Sequence, residues 1–266
     1  MDDDLALIVE AARAAGALAL DLAKGGVDAW EKSPGNPVTK ADIAIDQLLA
    51  ERLLAARPDH GWLSEERADD PVRLGRRRIF LVDPIDGTRD YARGRPGWCV
   101  SIAIVEAGRP THAVLYAPVS GNAWTATAGG GARCDGESIT ASSCTALAKA
   151  RIPVEADLFR SKYWQGPTAR SVTKPNSIAL RMAMVADARA DTVFDARPSR
   201  ELDIAAASLI VTEAGGIVTD TDGHPARFNK PDPSEKNLVA SATPQLHRET
   251  CAEAAATIAR WRAAQS

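Results

Sequence analysis

Two aspartates close an apolar run in "RIFLVDPIDGTRDY", residues 78–91. Asp83 and Asp86 are separated by Pro84 and Ile85 and followed by Gly87 and Thr88. Pro84 fixes its own φ and biases Asp83 toward extended backbone. That stiffness holds the Asp83 carboxylate, the Ile85 carbonyl and the Asp86 carboxylate around a common point. Gly87 permits a sharp, left-handed bend. Thr88 then falls near a helix start, where free backbone N–H groups favour an anion such as phosphate. Two carboxylates and a carbonyl suit a hard divalent cation, and magnesium is the commonest companion of phosphate groups. Taken alone the segment fits a plain turn equally well, since Asp, Pro and Gly all form turns. It is not an EF-hand loop, because Pro84 and Ile85 interrupt the alternating acids. Nor is it an Asp-x-Asp-Gly-Thr loop, which would need an acid at 84.

Three further segments carry acids in comparable settings. "WLSEER" (62–67) is a short apolar run ending in Glu65 and Glu66. "SRELDIAAASLIVTEAGG" (199–216) places Asp203 in the first turn of an apolar helix. There a carboxylate also stabilises the macrodipole by about 0.3–1 kcal/mol. "PVTKADIAID" places Asp42 three residues after Thr39, a variant of the capping box. Each has a purely structural reading, but their joint occurrence with "DPIDGT", in this order, is harder to assign to structure alone.

The elements that must position these acids follow from periodicity. Leu5, Ile8, Val9, Ala12, Ala15, Ala19 and Leu22 recur at helical spacing, and Gly25-Gly26 ends that helix. "WEKSPGNPVTK" (30–40) reads as a loop, with two prolines and a glycine. A second helix is expected from about Thr39 to before Pro58. "RIFLV" is a buried strand, and "CVSIAIVEAG", "THAVLYAP" and "NAWTATA" follow as an antiparallel meander. After residue 145 strands and helices alternate, so residues 1–145 read as an α+β half and 146–266 as an α/β half.

Bulk properties set limits. The 266 residues carry 32 Lys plus Arg against 35 Asp plus Glu, a net charge of −3, which gives no pull toward a nucleic-acid polymer or an anionic membrane. Arg76-Arg77-Arg78 is too short to change that. No pair among Cys99, Cys134, Cys144 and Cys251 has CxxC spacing, so no zinc or redox motif is expected and a reducing, cytoplasmic setting fits. "MDDDLAL" is acidic where a signal peptide would be basic. No GxxxxGK[ST] loop is present, which argues against a nucleotide-dependent phosphotransferase.

The four acid-bearing blocks, "PVTKAD", "SEE", "DPIDGT" and "LDIAAA…EAGG", together resemble the signature blocks of the inositol monophosphatase family, over nearly the whole chain. The resemblance implies a five-layer αβαβα sandwich, activity as a metal-dependent phosphatase on a small-molecule phosphate monoester, two or three Mg2+ per site, sensitivity to lithium and a homodimer. It implies Glu65, Asp83, the Ile85 carbonyl, Asp86 and Asp203 as metal ligands. It implies Asp42 and Thr88 as the pair that, with Glu65, orients and deprotonates the attacking water, and Gly87 and Thr88 as the phosphate seat. Lys32 matches, more loosely, a lysine of the family's mobile loop. A non-catalytic phosphate- or metal-binding relative would lack one of these groups, and all are present.

The ester is less clearly written. "DGTRDY" has a basic residue and an acid where inositol phosphatases commonly have "DGTTNF", and with "ARFNKPDP" (226–233) it resembles the 3'(2'),5'-bisphosphate nucleotidase branch. "ELD" (201–203) departs from the family's usual Trp-Asp, which removes an aromatic beside Asp203. Asn176, Ser177 and Arg181 fall where the family builds its leaving-group pocket, although Asn176 and Ser177 also suit a helix cap. Arg170, Lys174, Arg181, Arg197 and Arg200 would favour a second phosphate. The expectation is a bisphosphate nucleotidase; inositol 1-phosphate, histidinol phosphate and fructose bisphosphate are the alternatives.

Overall fold

The computed structural model describes residues 2–33, 36–195, 199–235 and 237–264, the side chains at 32, 33 and 36 excepted. Helix α1 (Asp3–Ala23) is followed by strands β1 (Ala29–Ser33) and β2 (Asn36–Thr39) and helix α2 (Lys40–Ala56). A seven-stranded sheet then runs β3 (Gly61–Ser64), β4 (Arg78–Asp86), β5 (Cys99–Glu106), β6 (Arg109–Ala117), β7 (Asn122–Thr127), β8 (Gly131–Cys134) and β9 (Glu137–Ser138), paired in that order. Helix α3 (Thr88–Ala92) is inserted between β4 and β5. Within this sheet, among the described residues, only β3 and β4 pair in parallel; the other neighbours are antiparallel.

The later chain gives the short strands β10 (Arg151–Ile152) and β11 (Arg170–Ser171), helix α4 (Ile178–Ala186), β12 (Thr192–Asp195), β13 (Ser199–Arg200), α5 (Glu201–Glu213), β14 (Ile217–Asp220), β15 (Ser234–Glu235), β16 (Leu238–Ser241) and α6 (Pro244–Ala263). Strands β12, β16 and β14 form a second sheet with β16 in the centre.

Five layers result, in the order α1/α2, large sheet, α4/α5, small sheet, α6. Phe80, Val82, Ile102 and Ile104 on one face of the large sheet pack with Ile8, Ile45, Leu49 and Leu53 of the first helix layer. Leu81, Ala103 and Leu115 on the other face pack with Met182, Val185, Ala206 and Ile210 of the middle layer, and Val193, Val218 and Ala240 close that core from the small sheet. Phe194, Val239, Leu246 and Ala254 seal α6 against the outer face. Burial on both faces is why β4 reads as an unbroken apolar run rather than an alternating one. Among the described residues no helix is long and apolar enough to cross a membrane.

One expectation is corrected. Within 30–40, read as a loop, residues 30–33 and 36–39 belong to the β1–β2 ribbon, with Ala29 opposite Thr39 and Glu31 opposite Pro37. A two-stranded ribbon consists only of edges, so the N–H that proline lacks leaves no interior ladder broken.

Candidate active site

The chemistry-bearing residues collect at the end of β4. The β4–β5 ladder runs regularly to Asp83 opposite Ser101, then slips, with Asp86 opposite Cys99. Pro84 cannot donate to the ladder, and the irregularity turns the acids out of the sheet. The Asp83 carboxylate accepts the N–H of Ile85 at 3.0 Å, which stiffens the turn. Gly87 follows at φ 101. A Cβ there would lie 2.6 Å from the Gly97 carbonyl oxygen, so only glycine fits.

Asp86 points at the start of α4. Its Oδ2 accepts a short hydrogen bond from the Ser177 hydroxyl and another from the Ala179 N–H at 2.7 Å. Asp203 lies in the first turn of α5 and accepts the Arg200 N–H at 2.8 Å. Glu65 follows β3, and the chain just after it is tied down twice. Arg67 donates to Asp46 at 2.5 Å, and Asp69 accepts from Arg73 at 2.5 Å. Asp42, 1% exposed, closes the α2 capping box: its Oδ2 accepts the Thr39 N–H at 2.8 Å and the Thr39 hydroxyl at 2.5 Å. The Thr88 hydroxyl lies 3.2 Å from Asp42 Oδ1 and 3.0 Å from the Ile85 carbonyl oxygen.

These elements enclose a cleft of about 340 Å³. Glu65, Asp83, Ile85, Asp86, Gly87, Thr88 and Asp203 line it, as do Asn176 and Arg181. Asp42 stands behind Thr88. Ser177, expected to meet substrate, does not reach the cleft: it is fully buried, caps α4 through the Leu180 N–H at 2.9 Å and donates to Asp86. Asn176 is held by its own N–H, which donates to Asp90 at 3.0 Å. The Lys32 side chain and Arg197 lie outside the described residues. Of the other cations expected near the leaving group, Arg200 lines the cleft, whereas Lys174 faces Glu155 at 3.6 Å and Arg170 lies away from it in β11.

Sequence reasoning gave no role to Arg89 and Asp195, which also line the cleft. Asp195 pairs with Arg181, whose Nη2 is 2.9 Å from its carboxylate while Nε donates to the Ser177 carbonyl at 3.3 Å. Asp195 ends "DTVFD", an apolar strand closed by an acid, the same signal that marks Asp83.

The electrostatics are those of oxygen donors crowded more closely than the cleft's arginines offset. Burial, then Glu65, Asp86 and Asp203, push the Asp83 carboxyl well above its ordinary range. Burial also raises Asp86, against the opposing bonds from Ser177 and Ala179 and the Arg181 charge. Burial and then Asp86 lift Asp203 to about 8, against the Arg200 N–H. Burial lifts Asp42 to about 6, against its bonds to Thr39. An all-oxygen set that resists collective ionisation fits a hard divalent cation.

Two tighter acid–histidine triplets lie elsewhere, Asp2/Asp4/His112 and Asp220/Asp222/His224. The first is already neutralised, because Asp4 pairs with Arg57 at 2.6 Å and Arg78 at 2.8 Å. The second is a turn in which Asp220 accepts the N–H groups of Asp222 and His224.

Comparison with known proteins gives a consistent picture. The model of the inositol monophosphatase family matches residues 1–259. An inositol monophosphatase of Dictyostelium discoideum is 36% identical over 198 residues, 70% of this chain and 72% of that protein. The Nus factor SuhB of Xylella fastidiosa is 32% identical over 230 residues, 82% of this chain and 81% of its own. The solved IMPase of Thermotoga maritima superposes with a TM-score of 0.84 at 29% identity, covering 97% of this chain and 99% of the other. The chain therefore belongs to the inositol monophosphatase family, whose members are metal-dependent phosphoric monoester hydrolases.

Proposed function

We propose that this chain is a Mg2+-dependent 3'(2'),5'-bisphosphate nucleotidase that converts adenosine 3',5'-bisphosphate to AMP. The observation that carries this reading is the company kept in one cleft: Arg89, Arg181 and Arg200 beside the acids Glu65, Asp83, Asp86 and Asp203. The acids and the Ile85 carbonyl would hold the cations. Guanidinium groups are suited to a second phosphate, which a monophosphate lacks.

When bound, the cations neutralise the dianionic ester and acidify the attacking water. The chain's own groups do the rest. Asp42, lifted to about 6, is mostly ionised at neutral pH and is poised to accept a proton there. Thr88 bridges Asp42 and the Ile85 carbonyl, which fixes its hydroxyl beside the turn. Gly87 and Thr88 seat the phosphate. Arg181, kept in place by Asp195, faces the leaving group together with Arg89 and Arg200. Cys99, Cys134, Cys144 and Cys251 are all free, in keeping with a cytoplasmic enzyme.

A second reading, inositol 1-phosphate hydrolysis, is favoured by the relatives named inositol monophosphatase. Phosphate release from adenosine 3',5'-bisphosphate, inositol 1-phosphate, fructose 1,6-bisphosphate and histidinol phosphate separates the two. The nucleotide should give the highest kcat/KM, and Arg89→Ala should lower that value more than the value for inositol 1-phosphate. A preference for inositol 1-phosphate that Arg89→Ala leaves unchanged would reject the nucleotidase reading. No release from any ester would point to a non-catalytic binding protein.

A further inference from the structure

Outside the cleft, two buried charges grip one short loop. Arg73, in the tight turn Pro71–Gly75, is 2% exposed. Its Nε and Nη2 donate to the two oxygens of Asp69 at 2.5 and 2.8 Å. Its Nη1 donates to Asn229 Oδ1 at 2.6 Å and its Nη2 also to the Lys230 carbonyl at 2.9 Å. Glu201, 0% exposed, holds the same two residues: its oxygens accept the N–H groups of Asn229 at 2.5 Å and Lys230 at 3.0 Å. Asp69 lies four residues beyond Glu65, and Glu201 two residues before Asp203.

We propose that Arg73 and Glu201 are positioning residues which, clamped on Asn229–Lys230, fix Glu65 and Asp203 relative to each other and so set the affinity of the site for a divalent cation. The proposal rests on the reading of those two acids as metal ligands. A buried guanidinium and a buried carboxylate are tolerated only when their hydrogen-bonding capacity is met, and here one two-residue loop meets much of both. Asn229 sits at φ 62, a left-handed conformation that asparagine tolerates and that presents successive N–H groups to one acceptor. The acid at 201 and the "RFNK" segment at 227–230 are thus two parts of one device, although they lie well apart in the chain. Groups bonded directly to metal ligands typically change affinity by about 10–100-fold when removed, and a clamp that acts through the chain two and four residues from the ligands should give the low end of that range.

The test is Mg2+ binding by calorimetry on the full chain, with melting of the metal-free protein measured on the same samples. The variants are Glu201→Ala, Asn229→Gly and Asp203→Asn. Asn229→Gly keeps the left-handed backbone and the N–H groups that Glu201 holds but deletes the Arg73 acceptor, so it guards against a misfolded Glu201→Ala. Both clamp variants should bind Mg2+ about tenfold more weakly. A merely structural tie would lower the melting temperature and leave the affinity alone. An affinity of folded Asn229→Gly within about threefold of the parent, whatever its melting temperature, overturns the clamp. Binding by the parent that disappears in Asp203→Asn keeps the metal reading whatever the clamp variants do. A parent that binds no Mg2+ overturns that reading, and the clamp with it.

Discussion

Removing metal should leave a protein whose stability falls as pH rises through neutrality, and Asp203 sets the scale. Burial and the neighbouring Asp86 lift its carboxyl from 3.8 to about 8. The folded state therefore binds this proton more tightly than the unfolded chain does. The group's contribution is intact below about pH 4 and is progressively lost as pH climbs toward 8. Between about pH 5 and pH 8 the difference spans about three pH units at about 1.4 kcal/mol each, or about 4 kcal/mol. For a chain of this size, about 1 kcal/mol moves Tm by about 2–4 °C, so the metal-free Tm should drop by about 10 °C over that interval. The assay is calorimetric melting in chelator at a series of pH values, repeated with Mg2+ and with Asp203→Asn. Mg2+ should raise Tm far more at pH 8 than at pH 5, because it supplies the missing positive charge. Asp203→Asn should flatten the metal-free profile. Equal slopes in parent and variant, or a Mg2+ effect independent of pH, would refute the argument that crowded carboxylates govern this region.

Three other outcomes are expected. Asp83→Asn should abolish Mg2+-dependent phosphate release while the melting temperature without metal holds or rises, since a repelled charge is gone; retained turnover would remove Asp83 from the ligand set. Gly97→Ala should destabilise by about 2 kcal/mol or more, because its Cβ would lie 1.9 Å from Asp90 Oδ2 beside the Asn176 N–H; a denaturant midpoint unchanged from the parent would contradict the packing of the 90, 97 and 176 segments. Asp191 is different from the cleft acids: burial alone would raise it, yet bonds from Arg151 and Ser142 hold it below its ordinary range. Its contribution is present above about pH 4 and lost as pH falls through its depressed value. Asp191→Asn should thus cost about 2 kcal/mol at neutral pH and less in acid, read by urea unfolding at both pH values.

Much of the site was legible because its chemistry is local. Pro84, Gly87 and two acids within six residues determine a turn without help from distant chain, and the apolar run before them announces a buried strand. Thr39 and Asp42 likewise sit one helical turn apart and declare their own capping box. What sequence could not resolve depends on partners far along the chain. Ser177 looks the same as a substrate ligand or as a cap, and only the arrival of Asp86 from 91 residues away decides where its hydroxyl goes. Glu201 gave no signal of its own, because the groups it holds are amides 28 and 29 residues downstream. The β1–β2 ribbon was hidden by Pro37, whose cost in a central strand does not apply at an edge. Asp195 was readable in principle, since a strand closed by an acid had already marked Asp83.

The carboxylate of Asp86 faces two ways, with Oδ2 taken up by Ser177 and the first turn of α4 while the residue still lines the cleft. Anyone ranking the acids by an alanine scan will find that Asp86 confounds the ranking. Truncating it uncaps a buried helix in the same stroke that deprives the cleft of a donor, so lost turnover there measures architecture and chemistry together. Asp83, whose hydrogen bond among the described residues is to Ile85 in its own turn, is the cleaner reporter of the two.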